Sequence, residues 1–581
     1  MGTGVSARPA GRAATVFTRI LSRIWSLPEP RNRVTVARDV PVPMSDGTVL
    51  RADHYIPVTP RAAATVLIRT PYGRHGPNVL TGTTLAQFGY HVLLQSCRGT
   101  FGSGGTFDPM RREALDGQDT VRWLRGQPWF DGRLATYGAG YMGFVQWALA
   151  LDPPPELVAA IVHIGPHDFS RSAYQHGAFG LQNFMIWNDL MAHLEDGPVR
   201  TPAHMLTAER RLRSALDGLP VIASGRRLLG DRARWFEGWL EHPDVSDPFW
   251  GPLDCTAALD RAAVPTLLVG GWQDLFIEQT LAQYRRLADR GVPVRLLVGP
   301  WTHRDLAVRG GRAVAESVAW LDRYAGSGAP AHTAAPAHPG GPGDAGLPVR
   351  VFVGGAGEWR DLASWPPADA TPHRWYLGPG GALSTQPRPG PAPATGFRYD
   401  PASPTPSVGG AVMARRAGVR DNRAVERRPD VLVFTSQPLA QPVEIIGAVT
   451  AELTVTRNNP FADLFVRLCD VDPRGRSRNV CDGIVRLTRA DPLSGRTTVP
   501  LAGTAHRFAR GHRIRLQVCG GAHPRFARNP GTGRVDASPA GLRPADYRIG
   551  VTSDTASALI FSAVAREQPP LAAAARAAQG S

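Results

Sequence analysis

Between residues 34 and 325, short β-rich apolar runs alternate with stretches of helical pattern. The strand candidates are TVLIRT (65–70), HVLLQS (91–96), RLATYG (133–138), LVAAIVHIG (157–165), PTLLVGG (265–271) and VRLLVGP (294–300). Between them lie segments such as ALDGQDTVRWLRGQ (114–127) and LFIEQTLAQYRRLADRG (275–291). Strands that alternate with helices build a parallel sheet with crossover helices, an α/β fold. Such folds place ligands at the carboxyl ends of their strands. Residues 166–250 break the alternation with helical patterns alone, which predicts a helical cap inserted between two strands.

The texture changes after residues 326–348, an Ala/Pro/Gly-rich linker. VRVFVGG, HRWYLGP, VEIIGAVTAELTVT, DLFVRLCDVD, RIRLQVCGG and ALIFSAVA are alternating strands separated by Gly/Pro turns. They predict a second, all-β domain of jelly-roll type over 349–567. The predicted organisation is an N-terminal amphipathic extension (1–33), an α/β domain (34–165 and 251–325) with its cap (166–250), the linker, the all-β domain and a tail (568–581).

Charge adds little about function. All 65 basic residues are Arg and the net charge is +16, but residues 41–400 balance 33 Arg against 33 acidic residues. The excess sits at the two ends, with no zinc-finger spacing, RNP motif or compact basic block, so no nucleic-acid partner is expected. Five scattered cysteines without CxxC argue against a disulfide framework or zinc site and fit a reduced, cytoplasmic setting. No apolar run reaches the ~18 residues needed to span a bilayer. Apolar residues at 16, 17, 20, 21, 24 and 25 recur at helical spacing, as in a helix docked on its own protein or on a membrane surface. Stable membrane insertion is not expected, and homo-oligomerisation is left open.

The chemistry concentrates in three places. Tyr137-Gly138-Ala139-Gly140-Tyr141-Met142-Gly143 follows a strand and precedes a helix, the context of a nucleophile elbow, G-x-S-x-G. At the apex, where serine belongs, stands Gly140. Asp274 follows the strand PTLLVG, and His303 follows VRLLV. The order elbow, Asp, His is that of α/β-hydrolases. In that geometry His303 is the general base, and Asp274 fixes its tautomer and stabilises the imidazolium.

With these residues in place, the chain resembles the CocE/NonD hydrolases, the cocaine-esterase-like and X-prolyl-dipeptidyl-peptidase-like serine hydrolases. The resemblance runs through VPVPMSDGTVLRADHYIP (40–57), RTPYGR (69–74), QSCRGTFGSGG (95–105), QPWFDGRLATYGAGYMGFVQWA (127–148), DPFWGPLD (247–254), GGWQD (270–274), GPWTH (299–303) and HPRFARNPGTG (523–533). It implies an α/β-hydrolase domain, an inserted helical cap and a C-terminal galactose-binding-like jelly roll, with the pocket between them. It further implies an oxyanion hole made by the Tyr72 hydroxyl and the Tyr141 backbone N–H. The implied partner is a small-molecule acyl ester or amide, without cofactor or metal.

Gly140 leaves three readings. The protein is a non-catalytic hydrolase relative that binds ligands; or it hydrolyses through water deprotonated by His303–Asp274; or the glycine is an engineered or erroneous residue in an otherwise ordinary serine hydrolase. Ser96, Ser103 and Cys97 lie in a different loop and are poor replacement nucleophiles. His91, His163, His167 and His506 read as structural or exposed, Asp168 as a capping residue, and Arg98 as internally paired. Trp187, Trp235 and Trp239 read as cap core, with an aromatic acyl pocket as the alternative. Arg525, Arg528 and Asn529 carry the reading from another class, a carbohydrate-binding module.

Overall fold

A computed structural model describes residues 31–59, 63–197, 200–306, 310–328, 346–390, 395–534 and 536–564, with isolated positions 8, 9, 18 and 29. All of the amphipathic stretch 16–25 except Thr18, the middle of the linker and the tail 568–581 lie outside the described residues.

The first domain is one twisted sheet. Its strands are β1 (Arg33–Pro43), β2 (Val49–Val58), β3 (Ala63–Thr70), β4 (Tyr90–Ser96), β5 (Leu134–Ala139), β6 (Leu157–His163), β7 (Thr266–Gln273) and β8 (Val294–Thr302). They lie in the order β1-β2-β4-β3-β5-β6-β7-β8. β2 runs antiparallel to both of its neighbours, and from β4 to β8 every pair is parallel. β3 (AATVLIRT) and β7 (TLLVGGWQ) are buried at every residue. Parallel strands covered by helices on both faces require such unbroken runs rather than alternation.

Helices α1 (Pro77–Gln87), α2 (Glu113–Arg125) and α3 (Tyr141–Leu149) make the first crossovers. The cap enters between β6 and β7 as α4 (Leu181–His193), α5 (Arg200–Asp217), α6 (Val221–Leu229) and α7 (Trp235–Glu241). Its entry also carries a two-residue hairpin, Tyr174–Gln175 with Ala178–Phe179, too short to read from sequence. Helices α8 (Ile277–Asp289) and α9 (Gly311–Tyr324) complete the layers. The cap core is aromatic: Phe184, Phe236, Trp239 and Trp250 are all buried, with Phe184 and Phe236 edge to face on Trp239 and Phe249 edge to face on Trp250.

One strand lies elsewhere than the sequence suggests. Val349–Val353 (β9), read as the first strand of the all-β domain, pairs parallel with β8, and Glu358–Leu362 (β10) closes antiparallel on it. The α/β sheet therefore reaches past the linker. Val349, Val351 and Val353 bury completely in the core that holds Trp272. Covering the β8 edge this way satisfies a parallel strand that would otherwise face solvent unpaired. Alternation within VRVFV marks a strand but not the sheet it joins.

From Thr371 to Ala563 the described chain is strands, turns and single-turn helices. Its longest pair, Val443–Arg457 with Ser494–Phe508, forms an antiparallel ribbon across the domain. An apolar core of its own includes Phe434, Leu453, Leu464, Leu516 and Phe561. The fold is thus an α/β-hydrolase domain followed by an all-β domain. Among the described residues no helix is long and apolar enough to cross a membrane. All five cysteines are free and buried.

Candidate active site

Gly140, Asp274 and His303 stand just beyond the carboxyl ends of β5, β7 and β8. The elbow is shaped by close backbone approach. Gly140 has φ 59° and ψ −118° and is the N-cap of α3. Its N–H donates to the His163 carbonyl at 3.0 Å, tying the turn to the end of β6. A Cβ on Gly138 would come within 2.3 Å of the Met142 Cβ. The second small residue stands at 143 rather than at the motif's 142, because a Cβ on Gly143 would meet the Gly165 Cα at 2.6 Å. The Gly143 and Phe144 N–H groups donate back to the Gly140 carbonyl at 2.9 and 3.1 Å, and ahead of them the helix dipole favours negative charge at the start of α3.

Opposite the elbow, His303 Nδ1 lies 2.7 Å from Asp274 Oδ2. Asp274 is fully buried, and its other oxygen accepts the Phe276 N–H at 2.8 Å. Gly271 lets the ends of β7 and β8 converge, since a Cβ there would collide with the Trp301 carbonyl at 2.3 Å. That convergence brings the two side chains into one hydrogen bond. With Nδ1 engaged by the carboxylate, Nε2 faces the elbow: a Cβ built on Gly140 lies 3.5 Å from both Nε2 and Cε1 of His303 and, apart from its chain neighbours, meets no other heavy atom of the described residues within 4 Å.

Tyr72 and Tyr141 meet through one indole. Trp187 of α4 donates from Nε1 to the Tyr72 hydroxyl at 3.0 Å and stacks on the Tyr141 ring with centroids 6.2 Å apart. A phenol that accepts this bond keeps its own O–H to donate. Burial pushes the Tyr72 hydroxyl up to about 12, so it stays protonated through neutral pH. The Tyr141 phenol is committed elsewhere: it donates to Glu113 at 2.7 Å and accepts the Met110 N–H at 2.8 Å. That pins the first residue of α3. Glu113 is itself paired with buried Arg69 at 2.9 Å. Arg98 forms a two-point bond with Asp116 at 3.0 and 2.6 Å, an internal pair as the sequence suggests.

The other candidates fall away from the chemistry. Burial drives the Cys97 thiol well above its ordinary range, and the Ser103 hydroxyl is engaged with the Ser96 carbonyl at 2.9 Å. His91 pairs with His54, His163 with Ser317, His167 with Gln283 and His506 with Asp470. Asp168 caps the short helix that follows it by accepting the Arg171 N–H. Trp239 is cap core, Trp235 donates to Asn188, and Trp187 alone of the three reaches the site. Arg525 and Arg467 flank the buried Asp482, Arg528 donates to the Pro401 and Asp217 carbonyls, and Asn529 donates to Asp463.

Two residues escaped the sequence reading. Phe276 sets its ring edge to face with His303 at 5.5 Å. Gln273 donates to the Val480 carbonyl at 2.8 Å and accepts from Asn479 at 3.3 Å, fastening the all-β domain to the strand that carries Asp274. The cap is fastened too: Asn183 of α4 accepts the Met413 N–H at 2.9 Å. The signal for both residues was their place beside Asp274 in GGWQDLF.

Comparison with known proteins agrees with this architecture. Residues 46–305 match the model of the X-Pro dipeptidyl-peptidase (S15 family), and residues 344–560 that of the X-Pro dipeptidyl-peptidase C-terminal non-catalytic domain. The chain is 31% identical over 539 residues to the cocaine esterase of Rhodococcus sp. (strain MB1 Bresler), covering 87% of this chain and 94% of that protein. It belongs to the CocE/NonD hydrolase family. Among solved structures, an α-amino acid ester hydrolase superposes with TM-score 0.76 at 23% identity, covering 92% of this chain and 97% of that one. A CocE/NonD family hydrolase from Staphylococcus aureus gives 0.68 at 17%, covering 92% and 94%. Those two likenesses bear on the fold alone. As a CocE/NonD hydrolase the chain is of the ester- or peptide-hydrolysing type, with glycine at the elbow apex.

Proposed function

We propose that this CocE/NonD hydrolase binds carboxylic esters or amides by their acyl group at the ends of β5, β7 and β8 and cleaves them slowly by direct attack of water. His303 Nε2 takes a proton from a water molecule whose oxygen bonds to the acyl carbon. The carbonyl oxygen gains the negative charge and meets the Tyr72 O–H and the Tyr141 N–H. Collapse expels the alcohol or amine, which takes the proton back from His303. The products are the free acid and the alcohol or amine, and no acyl-enzyme forms.

One observation carries this reading: apart from its chain neighbours, a Cβ at Gly140 would meet only the His303 ring within 4 Å among the described residues. A base held by a buried carboxylate thus borders room for a small nucleophile. Relatives described as a cocaine esterase and as X-Pro dipeptidyl-peptidase support an acyl ester or amide substrate. Removing the nucleophile from a serine hydrolase costs ~10⁶-fold in turnover, while an oxyanion hole with substrate binding retains ~10³–10⁴ over water. The rate is therefore expected to be low. Five free, buried cysteines support a cytoplasmic setting.

The test is a panel of p-nitrophenyl esters with the parent and His303→Ala. The expected result is slow turnover without an initial burst, falling well below the parent's rate in the variant. Equal rates for the two would replace this reading by a ligand-binding protein without catalysis, which the bare apex at Gly140 also favours. The internal bonds of Arg525, Arg528 and Asn529 give a carbohydrate site there no support.

A further inference from the structure

We propose that the cap carries a site for one divalent transition-metal ion, held by Asp189, His193 and His204. Nothing in the hydrolytic reading uses these residues. Asp189 and His193 are one turn apart on α4, and His204 faces them from α5. One ligand atom from each lies within 4.8 Å of those of the other two. His204 Nε2 is 3.2 Å from both Asp189 oxygens, and His193 Nδ1 is 4.0 Å from Oδ1. The two imidazoles stack with centroids 3.5 Å apart.

The chemistry of this set favours a borderline ion such as Zn²⁺ or Co²⁺. Imidazole and carboxylate bind Zn²⁺ at about 2.0–2.2 Å, and a carboxylate with two imidazoles is a three-ligand set that leaves a position for water. The Asp189–His204 spacing already suits two ligands of one ion. A small rotation of the His193 side chain closes the rest. Asp189 is 3% exposed, and a carboxylate that far from water needs a counter-charge. His193 Nδ1 meets the Asp189 carbonyl at 3.0 Å, a contact it gives up when it turns its lone pair to the ion.

Arg211 supplies the counter-charge in the absence of an ion. Its guanidinium lies 3.1 Å from Asp189 Oδ2 and contacts His204 Nε2. The side chain is 30% exposed, so it has a path to solvent when an ion takes its place. Arg211 and the ion compete for the same two ligands.

The test uses the untagged full chain, stripped with chelator and titrated with Zn²⁺, with metal content read after dialysis and Co²⁺ absorption as a second readout. One equivalent is expected for the parent, weakening at least about 10-fold in His193→Ala and in His204→Ala. Arg211→Gln is expected to bind more tightly than the parent. Circular dichroism checks that each variant is folded. Less than one equivalent in both the parent and Arg211→Gln, or binding that survives His193→Ala and His204→Ala together, would overturn the proposal. Esterase activity enters none of these measurements, so the site stands or falls apart from the hydrolytic reading.

Discussion

The ends of β7 and β8 meet the end of β5 where His303 faces Gly140, yet the two sides differ in what they present. On the β7–β8 side, a buried carboxylate and an imidazole are joined at 2.7 Å, with Phe276 packed edge to face on the ring. On the β5 side only backbone is offered: Gly140 at φ 59°, tied to His163 and flanked by glycines that a Cβ would jam. The bend on the second side is kept by steric demands of its own, at Gly138, Gly143 and Gly165, without a nucleophile at the apex. Geometry of an elbow and chemistry of an elbow are therefore separable properties, and experiments can pull them apart.

The largest expected effect restores the missing side chain. Gly140→Ser puts a Cβ 3.5 Å from His303 Nε2, so its hydroxyl falls within reach of the base. Ester turnover is expected to rise at least about 10³-fold, with ~10⁶-fold as the ceiling set by what loss of a serine nucleophile costs. The same variant is expected to lose about 1–3 kcal/mol of stability in urea unfolding, because φ 59° strains a residue with a Cβ. A gain in activity without that loss would mean the bend relaxes.

Next in size is the donor shared with the cap. Tyr72→Phe in the Gly140→Ser background removes the hydroxyl that Trp187 positions, and kcat is expected to fall about 10²–10³-fold with little change in KM. An equal rise in KM would make Tyr72 a substrate-binding residue instead.

The smallest effect concerns the end of β6, to which the elbow is tied. Burial holds His163 at about 4, below the 6.5 usual for imidazole. Between those values the unfolded chain binds a proton that the folded chain refuses, so stability falls as pH drops through that window and levels off below it. From pH 7 to pH 5 this one group accounts for about 2 kcal/mol, and His163→Gln is expected to flatten urea midpoints by that amount. The elbow, hung from the His163 carbonyl, should then outlast acid better in the variant.

Much of this was legible in the chain. Alternating strands and helices announced the parallel sheet, and GAGYMG, GGWQD and GPWTH marked three strand ends. What escaped depended on contacts between distant segments. VRVFV gave a strand without saying which sheet it extends, because pairing with Leu296–Val298 is not written in its own pattern. Trp187 was one of three cap tryptophans until the bond to Tyr72 set it apart. Asp189 and His204 look unrelated along the chain because a turn between two helices brings them together.

The central claim is that everything but the nucleophile is in working order. Labelling of Gly140→Ser with a fluorophosphonate, followed by intact mass, tests it most directly. The account predicts one covalent adduct per chain, at residue 140, absent in the parent and abolished by adding His303→Ala. A folded Gly140→Ser that takes no label would contradict it, because the base, the bend and the oxyanion donors would then not form a working site around a restored serine.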